Sequence, residues 1–172
     1  MKRFNLLLLI TLFSLSVNAG NPVSLVSGKK DFLKDNASAT VSFSWDKAQW
    51  NDGGTMKEVL SESEFESYVS VAEQKFKEGF NLKSKRLTVK DGEDAKYAIQ
   101  IEILKVDYFF SVMSLVPGHK NTVWANITVK DIATNEEVAS IKVDRLKGAR
   151  DFVRNDAFAK CFYALGEELA GM

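Results

Sequence analysis

The chain has one histidine, His119, and one cysteine, Cys161. A Ser-His-Asp set would have to use His119. It follows Pro117-Gly118 in an expected loop, a poor place for a preorganised base. A single histidine also denies the chain a multi-histidine metal site. Cys161 sits between Phe158 and Leu165 on the apolar side of an expected helix. Burial makes a thiol inert, so packing is the preferred reading over a reactive thiol. Three carboxylate groups remain: Asp46 and Asp52 flanking Trp50; Asp91, Glu93 and Asp94; and Asp151 with Asp156. Glycoside hydrolysis needs two acids roughly 5–10 Å apart, one desolvated enough to stay protonated. All three groups fall in turn-rich stretches where solvated side chains are expected. A small carbohydrate-active or carbohydrate-binding protein using Trp45, Trp50 and the nearby acids is the alternative reading. Asn51-Asp52-Gly53-Gly54 lacks the alternating ligands and closing Glu of a calcium loop. No phosphate-cradling glycine loop and no G-x-S-x-G elbow occur, so no metal or cofactor is expected.

Two further stretches bear on binding. Lys83, Lys85, Arg86 and Lys90 alternate with Leu82, Leu87 and Val89. Such a run can track a phosphate backbone, but lysines on a solvated edge strand explain it more simply. Residues 108–121 (YFFSVMSLVPGHKN) join two expected antiparallel strands through about a dozen residues, where a hairpin usually needs two to five. Phe109, Phe110, Val112, Met113, Leu115 and Val116, with His119 beyond them, make this the candidate binding loop for an envelope protein partner or a hydrophobic ligand. The competing expectation is that the strands extend into the segment and its apolar side chains complete the core. Trp124, Asn126 and Thr128 share the outward face of the second strand and form a second candidate surface.

The compartment is read from the N-terminus. Lys2 and Arg3 precede ten apolar residues, 6–15, and Val17-Asn18-Ala19 offers small residues for a signal peptidase. A ten-residue helix is about 15 Å long, too short for a hydrocarbon layer of roughly 30 Å. Residues 1–19 therefore read as a cleaved signal and 20–172 as one exported, periplasmic or secreted domain, with no transmembrane span after cleavage. No cysteine at the cleavage point offers a lipid acceptor. With Lys2 and Arg3 removed, 21 basic residues face 23 acidic ones. That balance of −2 argues against a nucleic-acid partner, because phosphate contacts need a basic surface. The lone cysteine leaves stability to the core rather than to disulfides.

The elements that must position these groups are legible from periodicity. Residues 39–45 alternate Ala39, Val41, Phe43 and Trp45 against Thr40, Ser42 and Ser44, a half-buried strand. Residues 61–79 place Phe65, Tyr68, Val69, Ala72, Phe76 and Phe80 on one helical face, with capping boxes at Ser61/Glu64 or Ser63/Glu66 and a stop at Gly79. Strands are expected over 96–107, 122–131 and 138–146, with shorter ones near 23–26 and 86–90. The connection 131–137 reads as a hairpin with Asn135 at positive φ. A last helix over 155–170 turns Phe158, Cys161, Phe162, Leu165 and Leu169 inward, capped by Asn155 or Asp156. One apolar face per strand calls for an α+β fold: a single antiparallel sheet of four to five strands with two helices packed on one face.

The hairpin 131–139 (DIATNEEVA), Gly148, and the helix ending Leu165-Gly166-Glu167-Glu168-Leu169-Ala170 resemble small exported α+β domains of Gram-negative envelopes. These are uncharacterised relatives of the curli-secretion component CsgG, the TolB N-terminal domain and penicillin-binding-protein activators. The resemblance spans residues 95–170. Asn135 stands where those families carry a glycine. It implies an accessory or binding role in the envelope and supplies no catalytic residue.

Overall fold

The computed structural model describes residues 21–92, 94–112 and 117–172. The expected signal segment 1–19, Glu93, and the loop candidates Met113, Leu115 and Val116 lie outside the described residues. Along the chain run β1 (Val23–Gly28), a 3-10 turn (Lys30–Lys34), β2 (Ser38–Ser44), β3 (Gln49–Trp50), α1 (Met56–Val59) and α2 (Glu62–Lys83). They are followed by β4 (Thr88–Val89), β5 (Tyr97–Ser111), β6 (Gly118–Asp131), β7 (Glu137–Lys147) and α3 (Arg154–Ala170).

The expected antiparallel sheet of four to five strands with two helices is not what the chain builds. Among the described residues there is one mixed seven-stranded sheet, in the order β1-β7-β6-β5-β2-β4, with β3 also paired to β5. Three α-helices accompany it. β5, β6, β7 and β1 pair antiparallel, whereas β2 and β3 run parallel to β5, and β4 runs parallel to β2. The physical reason is connectivity. A helix between two strands carries the chain back to its starting end, so α2 forces its flanking strands into parallel register. Alternation in the sequence reports which face a side chain takes, and direction leaves no mark on it. β3 escaped notice because it is two residues long inside a turn-rich stretch.

The inner face of the sheet carries Ala39, Ile99, Ile101, Ile103, Val123, Ala125, Ile127, Val129, Ala139, Ile141 and Val143, all buried. Phe43 ties β2 to both long helices: its ring lies 5.5 Å from Phe76 of α2 and 6.3 Å from Phe162 of α3. α2 begins where Ser61 N–H and Oγ both donate to Glu64 Oε2, at 3.1 and 2.7 Å. It does not stop at Gly79 but continues to Lys83. Gly79 is spent on packing instead: a Cβ there would lie 2.1 Å from the Tyr163 carbonyl oxygen, and one on Gly166 would lie 2.3 Å from that of Phe76. The two helices thus cross backbone to backbone. α3 starts at Arg154 with Val153 as its N-cap, so Asn155 and Asp156 lie inside the helix and do not cap it; Val153 N–H donates to Asp151 Oδ1 at 3.0 Å.

One irregularity redirects the side chains at the far end of β5. The β5–β6 register shifts between Ile103 and Lys105, which leaves Leu104 as a bulge. Beyond it the inward positions on β5 change from odd to even numbers. Val106 is buried and Tyr108 packs against the core, while Lys105 and Phe109 face outward.

Candidate functional site

The bulge directs Tyr108 and Phe110 toward the helices at the far end of β5, opposite Asn121 and His119 of β6. There an aromatic stack assembles from four elements. Trp50 of β3 lies parallel to Tyr108 at 6.3 Å and 9°, and Tyr68 of α2 sits 5.5 Å from Trp50 and 4.6 Å from Phe158 of α3. The guanidinium of Arg154 covers this stack, 4.7 Å from the Tyr108 ring, 5.4 Å from Trp50 and 5.7 Å from Tyr68. His119 continues it outward: its ring lies 5.4 Å from Tyr108 and 4.6 Å from Phe110, and its Nδ1 is 2.5 Å from Tyr108 Oη.

A short bridge brings in the connection before α3. His119 N–H donates to the Asp151 carbonyl at 2.7 Å, and Asp151 N–H donates back to the His119 carbonyl at 3.0 Å. Gly118 makes room for it, with φ +137° and a would-be Cβ 2.7 Å from the Asp151 carbonyl oxygen. Phe152 and Val153 are thereby set beside the hairpin. The result is an exposed apolar end: Val112 is 70% exposed, Phe109 58%, Phe110 49%, Phe152 74% and Val153 54%. The strands do extend, pairing as far as Ser111 and Gly118, yet Phe109, Phe110 and Val112 stay in solvent.

Four of the carboxylates that suggested catalysis are held in ion pairs. Asp46 pairs with Lys57 at 2.7 Å, Asp52 with Lys105 at 2.9 Å and Asp91 with Lys77 at 2.7 Å. Asp151 pairs with Lys160 and accepts the Val153 N–H. Hydrogen bonds from Lys57 and Lys160 hold Asp46 and Asp151 below the usual carboxylate range, the reverse of what a general acid needs. His119 meets Asp151 only through main-chain atoms, so these two residues do not form a base–orienter pair. Cys161 is fully buried, and burial pushes its thiol up to about 12, in keeping with a packing role. Trp45 and Trp50 are buried, which removes the aromatic platform that sugar stacking would need. Among the described residues no three His, Cys, Asp or Glu side chains gather as a metal site.

On the outer sheet face, Asn126 and Thr128 line a shallow polar trough of about 350 Å³ with Ser42, Ser44, Gln100 and Glu102. Trp124 is not part of it: it lies half-buried beside Lys105, whose amine is 5.5 Å from its ring. Phe152, Val153 and Arg154 were missed from sequence. The signal was present, since an apolar pair between Asp151 and Arg154 is unusual for a turn, but the bridge to His119 is a long-range fact.

No protein-family profile matches the chain, and no curated relative matches it. Solved structures with a similar layout include the PelC dodecamer from Paraburkholderia phytofirmans, at 13% identity over 86% of this chain and 95% of that one, with a TM-score of 0.42. Another is a Xanthomonas campestris protein of the DUF330 family, at 15% identity over 80% of this chain and 82% of that one, with a TM-score of 0.44. No activity passes from either to this chain.

Proposed function

We propose that this is an exported accessory or binding protein of the cell envelope. Its working surface is the apolar end built from Phe110 and Val112 of the β5–β6 hairpin and Phe152 and Val153 before α3. The observation that carries the reading is the exposure of these four side chains on a braced scaffold, with the Trp50–Tyr108–Arg154 stack behind them. Aromatic residues at a patch centre with a polar rim are the makings of a protein interface. The rim favours a protein over an anionic lipid surface, because acids and bases alternate there: Asp107 with Lys105, and Asp151 with Lys160. The resemblance of residues 95–170 to exported envelope domains supports the same role, as does the leader-like segment 1–19. Among the described residues no helix is long and apolar enough to cross a membrane.

The test is a double variant, Phe110→Ser with Phe152→Ser, compared with wild type by thermal melting and by capture of partners from a periplasmic extract. The expected result is an unchanged melting midpoint and the loss of a partner that wild type retains. A collapsed midpoint assigns the side chains to the core, and an unchanged set of captured proteins removes the surface from the mechanism.

A further inference from the structure

α3 begins at the aromatic cluster and ends at a different feature. The 3-10 turn, the C-terminal ends of α2 and α3, and the connection from α2 to β4 enclose a pocket of about 550 Å³. Leu33, Ala170 and Met172 give it apolar lining, and Lys30, Lys34, Lys83, Lys85 and Arg86 supply five cations. The sequence grouped Lys83, Lys85 and Arg86 with Lys90 as edge-strand lysines. In the structure β4 is only Thr88–Val89, and the first three join Lys30 and Lys34, some fifty positions earlier, around one cavity.

Charge counting separates a binding site from simple helix capping. Cations at helix C-termini are expected, but each end carries only about half a negative charge. Two ends and Asp31, which pairs with Lys34 at 3.2 Å, together offset about two of the five positive charges. A surplus near +3 remains in a chain whose formal balance is zero. Adding a negative charge at Met172 still leaves about +2. Two of the cations are also positioned without a side-chain carboxylate. Lys30 Nζ donates to the Met172 main-chain oxygen at 3.2 Å and Arg86 Nη1 to the Lys34 carbonyl at 3.1 Å. Lys83 and Lys85 are exposed, and no ion pair engages either among the described residues.

We infer that this pocket binds a phosphate-bearing ligand, with Lys83, Lys85 and Arg86 facing its phosphate oxygens and Leu33 and Met172 facing an attached apolar group. Several amines and one guanidinium match a three-oxygen acceptor better than a single carboxylate. The volume suits one small molecule or one headgroup, within the usual range of roughly 300–1,000 Å³ for ligand sites.

The phosphate has two sources, free in solution or on a lipid, and two arms separate them. Titration calorimetry with glycerol phosphate and pyrophosphate tests the first. Flotation with phosphatidylglycerol vesicles, against phosphatidylcholine vesicles, tests the second. Binding in either arm is expected, weakening by tenfold or more in Lys83→Gln/Lys85→Gln, since the variant removes two charged donors to the phosphate oxygens. The melting midpoint should not move, because neither lysine is held in an ion pair among the described residues. No binding in both arms overturns the proposal, as does undiminished binding by the variant. The Phe110→Ser/Phe152→Ser variant should bind as wild type does, so failure here and failure of the hairpin surface are told apart.

Discussion

Replacing Gly166 by Ala ought to stabilise an ordinary helix, and here it should do the opposite. Alanine in a helix interior is favoured over glycine by about 1 kcal/mol. The Cβ it adds would stand 2.3 Å from the Phe76 carbonyl oxygen and 2.6 Å from the Phe80 nitrogen. Atoms in ordinary contact sit about 3.5 Å apart, so α2 and α3 must separate by about 1 Å along this line. Both obstacles are main chain and cannot rotate aside. A gap of that size forfeits a quarter to a half of each dispersion contact across it, and Phe76, Phe80, Phe158 and Phe162 are all fully buried around the crossing. Overpacking typically costs about 1–3 kcal/mol, and rigid obstacles place this case near the top. Subtracting the gain of about 1 kcal/mol leaves a net loss near 2 kcal/mol. That corresponds to a fall in melting midpoint of roughly 4–8 °C for a chain this size. Urea unfolding followed by circular dichroism reads it directly. Gly53→Ala is the control: its Cβ would meet only the Trp50 carbonyl oxygen at 3.7 Å, and its φ is not positive, so it should be neutral or slightly stabilising. A Gly166→Ala protein as stable as wild type, or a Gly53→Ala protein equally damaged, would refute the close-crossing argument.

Two other outcomes rest on the charged and thiol groups. The Lys160 hydrogen bond lowers the Asp151 carboxyl below its ordinary value of 3.8, so the pair's stabilisation is complete above that pH and drains away as the pH falls through the lowered value. Asp151→Asn should flatten this part of the acid-unfolding curve while leaving a less stable protein at pH 7; an acid limb as steep as that of wild type would count against the pair. The Cys161 thiol, buried and pushed up to about 12, should resist a thiol-reactive dye in the native state and react at once in denaturant. Rapid native labelling would show that the α3 packing opens far more readily than its burial indicates.

Which parts of this molecule could be read from the sequence depends on what periodicity encodes. Ile99, Ile101 and Ile103 announce a buried face because the side-chain period of a strand is two, and Phe158, Cys161, Phe162, Leu165 and Leu169 do the same at helical spacing. Strand direction has no such signature. β2 looks the same whether β5 beside it runs up or down, and the choice was made by the helix between them. The Leu104 bulge carries a heavier consequence. Strict alternation would send Lys105 and Asp107 inward; one extra residue sends Val106 and Tyr108 inward instead, and with them comes the contact to Trp50, His119 and Arg154.

Both surfaces proposed for binding depend on distant juxtapositions of that kind. The apolar stretch 108–121 was visible as an anomaly, but its neighbours Phe152 and Val153 arrive only through the His119–Asp151 bridge. The basic run near residue 85 was visible too, and it becomes a pocket only when Lys30 and Lys34 are folded against it. Composition near each site flagged that something needed explaining; the partner segment, separated by some thirty to fifty residues, is what turns a local oddity into a surface with a shape and a charge. α3 physically joins the two, with Arg154 on the aromatic stack and Ala170 at the pocket. The close Gly79–Gly166 crossing holds α3 against α2 between the two surfaces. Hence loosening that crossing should disturb both surfaces together, whereas substitutions at either surface should leave the other intact.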